Sequence, residues 1–191
     1  YLILVHGYYS AQGAFEIVVI TGPTNDICGN AETLQIGTAT QGTTIAAGYD
    51  DVGYCGTYNT VGGVWYKVTG TGVSLQVNTC ANTDYDSKIS VFEGSCENLV
   101  CVGGNDNWCG SQSAVTWQSE SDAEYFILVH GRYSARGAFE LAVVVITPPT
   151  NDFCDNAETL QIGTAKQGTT IDASFDDVIY CGTSNTAGGV W

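Results

Sequence analysis

The sequence predicts an all-β protein: antiparallel β-sandwiches, jelly-roll-like, in tandem repeats of about 125 residues, stapled by disulfides. Three observations predict it. Short runs with two-residue periodicity recur at close spacing, linked by Gly, Asn, Asp and Ser. Long stretches of the sequence occur twice, almost unchanged. The cysteines recur with them, in an even number per repeat.

Candidate strands, in chain order, are 33–36, 42–46, 63–69, 73–79, 88–92, 99–102, 114–118, 124–129 and 138–146. Glycine-rich links such as Thr69-Gly-Thr-Gly72 and Glu93-Gly-Ser95 separate them. In 73–78 and 87–92, alternate residues face the core. No segment carries a helical stripe, and 30–34 has room for one helical turn at most. Nine short strands in one repeat suit a two-sheet sandwich of jelly-roll type.

The repeat sets the domain organisation. Residues 1–16 match 125–140 at offset 124, and after a two-residue insertion 20–65 match 146–191 at offset 126. Of those 46 aligned positions 36 are identical, which indicates recent tandem duplication. The expected division is therefore 1–20, the C-terminal strands of a preceding repeat; 21–146, one complete repeat; and 147–191, the N-terminal part of the following repeat. Both ends fall within expected strands, and no methionine occurs. The expectation is a window on a longer array, or units completed by their neighbours. The links at Ile20-Thr-Gly-Pro-Thr24 and Ile146-Thr-Pro-Pro-Thr150 are too short for free swivelling.

Charge removes several functions. With 20 acidic and 5 basic residues, the net charge is −15. So few Lys and Arg cannot supply the footprint that phosphate backbones need, so nucleic acid is excluded as a partner. The longest apolar run, 141–146, is six residues, far below a membrane-spanning helix. An apolar fraction of 44% supports a packed core.

Cysteines stand at Cys28, Cys55, Cys80, Cys96, Cys101, Cys109, Cys154 and Cys181, the last two repeating the first two. Zinc prefers two close ligand pairs, and only Cys96 and Cys101 are close, so disulfides and an oxidising compartment are expected. The expected pairs are Cys28–Cys55, repeated as Cys154–Cys181, then Cys96–Cys101 across a hairpin tip and Cys80–Cys109 at its open end.

An ordered set of motifs accompanies these cysteines. Thr24-Asn-Asp-Ile-Cys28, Asn30-Ala-Glu-Thr-Leu34 and Gly63-Val-Trp-Tyr-Lys-Val68 come first. Thr83-Asp-Tyr-Asp-Ser-Lys-Ile89, Val91-Phe-Glu-Gly-Ser-Cys96, Gly104-Asn-Asp-Asn-Trp-Cys-Gly110 and Tyr125-Phe-Ile-Leu-Val-His-Gly131 follow. In order and spacing the set resembles the bacterial pre-peptidase C-terminal-like domains, β-sandwich modules of secreted proteins. That resemblance implies an extracellular, non-catalytic accessory or adhesive module.

Candidate sites are few. Asp84, Asp86, Asn105, Asp106 and Asn107 lie in two loops that a Cys80–Cys109 bond brings together. Their oxygens suit calcium, although Asp and Asn also simply make turns. Asp50-Asp51 is a weaker pair. His6 and His130 are one repeat position, read as a strand-end histidine satisfied by local hydrogen bonds. No Gly-x-Ser-x-Gly elbow or His-Glu-x-x-His motif occurs, so no catalytic residue is assigned and no enzyme is expected. Trp65 and Trp191 belong to the core, and Trp108, in a polar loop, is the candidate for glycan contact. The expected function is a structural subunit of an extracellular filament, its partners copies of itself. The alternative is an adhesive or carbohydrate-binding module. No cofactor beyond calcium is expected.

Overall fold

The computed structural model describes residues 3–19, 21–147, 149–152, 154–168, 170 and 173. Nine strands form between residues 32 and 145: β1 Glu32–Thr33, β2 Ala39–Thr43, β3 Val64–Thr69, β4 Ser74–Asn78, β5 Ser87–Ser95, β6 Asn98–Asn105, β7 Ala114–Gln118, β8 Glu124–Gly131 and β9 Ala138–Val145. Each expected strand corresponds to one of these. The turn of helix lies ahead of the expected 30–34, as one 3-10 turn at Cys28–Asn30, and β1 forms within 30–34 instead.

The pairing is nested. β5 pairs with β6, β4 with β7, β3 with β8 and β2 with β9, all antiparallel. The first half of the repeat thus runs against the second half in reverse order and folds over into two sheets. Their orders are β1-β3-β8-β5-β6 and β2-β9-β4-β7, the jelly-roll arrangement. Only β1 departs, pairing parallel to β3.

Alternation packs the interior. Val64, Tyr66 and Val68 of β3, Ile127 and Val129 of β8, and Ile89 and Val91 of β5 meet Leu75, Val77, Phe139, Leu141 and Val143 of the facing sheet in one cluster. Truncating one of these side chains to Ala costs about 2–5 kcal/mol, because the closed sandwich cannot collapse around the hole.

The five-stranded sheet is buried on its second face as well. Trp65, Phe92, Phe126, Leu128 and Cys55 form a separate cluster there, flanked by Val52, Leu99, Cys28 and Cys96. The long connection from β2 to β3 lies over this face. Its backbone comes so close to β6 that a Cβ on Gly104 would meet the carbonyl of Cys55, which is backbone and cannot give way. A register shift between Val91 and Phe92 sets Cys101 opposite Phe92.

The disulfides correct the sequence expectation. Cys28 bonds Cys96 and Cys55 bonds Cys101, so neither Cys28–Cys55 nor Cys96–Cys101 exists. Cys28 lies in the turn before β1 and Cys55 in the covering connection, and both bond to the β5–β6 hairpin, across 68 and 46 residues of sequence. The repeated pair and hairpin proximity favoured local bonds, but both segments pack on the outer face of the five-stranded sheet, which brings distant cysteines within 6 Å at Cα. Cys80–Cys109 forms as expected. Cys154 is exposed and carries no disulfide among the described residues, and Cys181 lies outside them, as do Asp176, Asp177 and Trp191.

Outside the sandwich, repeat-equivalent sequence takes no strand among the described residues. Residues 3–19 are exposed throughout, although their counterparts form β8 and β9. Turns recur nonetheless. Ala157 N–H donates to the Cys154 carbonyl as Ala31 does to Cys28, both at 3.0 Å. Gly163 has φ 80° where Gly37 has 81°, and Tyr9 has φ 53° where Tyr133 has 55°.

Non-reducing peptide mapping is expected to recover the pairs Cys28–Cys96, Cys55–Cys101 and Cys80–Cys109. Removing the Cys55–Cys101 bond with the double change Cys55→Ala, Cys101→Ala is expected to lower unfolding stability in urea by about 2–4 kcal/mol.

Candidate functional site

The covering connection is held at several points besides its disulfide. Asp50 accepts hydrogen bonds from the Trp65 indole N–H at 2.6 Å and from the Gly63 amide at 3.3 Å. The Asn59 side-chain amide donates to the Asp50 carbonyl at 2.8 Å. Burial raises the Asp50 carboxyl above the usual range, and the bonds from Trp65 and Gly63 oppose the rise. Asp50 is therefore occupied by structure. Ser90 Oγ donates to the Cys55 carbonyl, which ties the tip of the connection to β5.

Beside this tip the outer face turns polar. His130 at the end of β8 stands opposite Lys88 of β5. Lys88 is nearly buried, and its Nζ lies 3.4 Å from Asp106 Oδ2. Arg132 reaches Asp106 with Nε at 3.9 Å and Asp86 with Nη1 at 3.8 Å. Two acidic loops and two cations thus share one place, with Arg132, Asp86 and Asp106 partly exposed.

Of the residues considered for calcium, Asp86 and Asp106 meet at Arg132, while Asp84 lies beside Gly137. The Gln112 side chain donates to the Thr83 carbonyl, and the Ser87 amide donates to Ser111, which joins the two loops further. The oxygens are differently engaged, however. Asp86 and Asp106 pair with Arg132 and Lys88, while Asn105 Oδ1 accepts the Asn107 amide in a turn. A calcium ion here must compete with both cations. Among the described residues, no three His, Cys, Asp or Glu side chains are grouped to share a metal.

His130 differs from expectation. It is fully buried, and neither ring nitrogen makes a hydrogen bond of good geometry. Burial first, and the Lys88 charge second, push it down to about 4, with the Gly131 backbone opposing. Its repeat counterpart His6 is exposed, Nδ1 lying 3.1 Å from the Gly7 carbonyl oxygen.

Trp65 is a core residue and Trp108 is exposed on its loop, as read from sequence, and Trp117 is buried as well. Three further aromatic residues escaped the sequence reading. Tyr54 and Tyr58 are exposed with ring centroids 4.7 Å apart. Tyr133 is exposed with the Arg132 guanidinium 5.2 Å from its ring centroid. Lys88 and Arg132 were missed too. The available signal was their rarity, since two of only five basic residues flank the acidic loops.

Among solved structures, the chain is similar to the pre-peptidase C-terminal domain of a collagenase from Bacillus anthracis. The likeness has a TM-score of 0.40 and 12% identity over 59% of this chain and 93% of that one. The jelly-roll assignment rests on the strand order itself. No protein family and no curated protein matches the sequence. Among the described residues, no helix is long and apolar enough to cross a membrane.

The buried imidazole gives a pH dependence. His130 is neutral in the fold down to about pH 4, whereas an unfolded histidine binds a proton below about pH 6.5. Between those values the unfolded chain holds more protons, so stability falls as pH falls. Urea titrations are expected to show this fall in the wild type, and a shallower one for His130→Leu, the difference reaching about 3 kcal/mol near pH 4.

Proposed function

We propose that this chain is a non-catalytic structural protein of the cell exterior, a repeat unit of an extracellular filament in which β-sandwiches are joined by sharing strands. One observation carries the reading. Ile3, Val5 and Phe15 are solvent-exposed, yet their repeat equivalents Ile127, Val129 and Phe139 are wholly buried. Those equivalents lie on β8 and β9, each with a strand on both sides. Residues 3–19 therefore carry the interior pattern of a β8–β9 strand pair, and no strands flank them among the described residues. Their sequence fits a partner carrying β2- and β3-type strands, since those are the neighbours of β9 and β8 in the nested pairing. Residues 147–165 repeat the lead-in to such strands, with the same local turns.

In tandem repeats of this kind the β8–β9-type sequence of one unit is followed by the β2–β3-type sequence of the next, a heterologous arrangement that propagates in a line rather than closing into a dimer. Backbone hydrogen bonds supply affinity in such strand addition, and alternate side chains supply register. Three disulfides suit an oxidising exterior. The net charge of −15 keeps neighbouring filaments apart at low salt.

Negative-stain electron microscopy and sedimentation of the 191-residue chain test the proposal. Linear particles with an axial repeat of roughly 35 Å are expected from compact-domain dimensions. The double change Val5→Asp, Phe15→Asp lies outside the 21–146 sandwich. It is expected to abolish assembly while moving unfolding stability by less than about 0.5 kcal/mol. A chain monodisperse at every concentration, or equal assembly by the variant, overturns the proposal.

A further inference from the structure

We propose that the surface formed by the covering connection and the two loops it contacts, which bear Tyr54, Tyr58, Trp108 and Tyr133, is a carbohydrate-binding surface for neutral hexose polymers, on which sugar rings stack against the aromatic faces. The inference stands apart from assembly and uses none of the residues of the spare strand pair.

The four aromatics come from three loops that direct contacts hold together. The Thr60 hydroxyl donates to the Tyr133 carbonyl at 3.3 Å, joining the covering connection to the β8–β9 loop. Arg132 joins that loop to Asp106, two residues before Trp108. The backbones of Gly56 and Gly104 are in contact, which seats the Tyr54–Tyr58 pair beside the start of the Trp108 loop. All four rings are more than half exposed. Disulfides anchor two of the loops, Cys55–Cys101 between Tyr54 and Tyr58 and Cys80–Cys109 next to Trp108. Rigid, already exposed rings bind without an ordering cost.

The chemistry around the rings favours sugars. A hydroxyl both donates and accepts, so a sugar edge is met by donors and acceptors side by side. Arg132 supplies donors and Asp86 and Asp106 supply acceptors, each with about a third of its side chain exposed. Tyr and Trp combine an apolar face with a polar edge, which matches the C–H face and hydroxyl rim of a pyranose. The charge of −15 repels acidic polysaccharides and leaves neutral ones as the fitting class.

Affinity electrophoresis in gels containing hydroxyethyl cellulose, galactomannan or glucomannan tests the surface, with tryptophan fluorescence as a second readout. At least one polymer is expected to retard the folded chain and change the emission of Trp108. Tyr58→Ala and Trp108→Ala are each expected to weaken retardation about tenfold, the usual reach of a truncated hot-spot aromatic. Their exposed side chains leave the melting transition in place. No retardation by any of the three polymers overturns the proposal. So does retardation unchanged in the triple variant Tyr54→Ala, Tyr58→Ala, Trp108→Ala. Loss of self-association in that variant, without any polysaccharide effect, overturns it in favour of a contact between copies.

Discussion

The structure depends on one requirement: a β-strand holds its shape only where neighbours satisfy its backbone along both edges or shield the open one. β8 lies between β3 and β5, and β9 lies between β2 and β4. These late strands therefore complete both sheets. The sequence of β8 and the start of β9 occurs a second time over residues 1–16, and residues 3–19, with no flanking strands among the described residues, form no strand. The turns within the same stretch do recur, because a turn is closed by atoms a few residues apart.

The second constraint is the covered outer face. A two-sheet sandwich ordinarily leaves one face of each sheet to solvent. Here the connection from β2 to β3 lies over the five-stranded sheet and is bonded to β6 by Cys55–Cys101, while Cys28–Cys96 ties the turn before β1 to the β5–β6 hairpin tip. Lys88, Ser90 and His130 point away from the main core, yet they are buried under this cover. The same anchoring that lowers the His130 pKa also fixes the loops that display Tyr54 and Tyr58. The polar seam and the aromatic surface are two results of one covering segment.

Much of this was legible beforehand. Period-two patterns located all nine strands, because half-buried strands must alternate. The joining of the loops around Asp86 and Asp106 followed from Cys80–Cys109, a bond across the mouth of a hairpin. The other two disulfides were misread for a physical reason. Distance along the chain is a poor guide once a long connection folds back across a sheet, and Cys28 and Cys55 find their partners only in the assembled sandwich. The ion pairs of Lys88 and Arg132 were hidden likewise, since β5 and β8 are far apart in sequence and adjacent only through the nested pairing. Tyr54, Tyr58 and Tyr133 carry no periodic signal, and their shared exposure is a property of loops meeting at one surface.

The sequence by itself determined what is local or periodic: strand positions, glycine turns, the duplication, the acidic charge and the supply of cysteines. Hydrogen-bond closure within a few residues and alternation at every second residue need no distant partner. Tertiary structure alone decided which cysteines bond, which charges pair and that His130 is buried. Each of those outcomes depends on surfaces brought together from remote parts of the chain, and identical residues in two settings, buried at 127–129 and exposed at 3–5, show the difference directly.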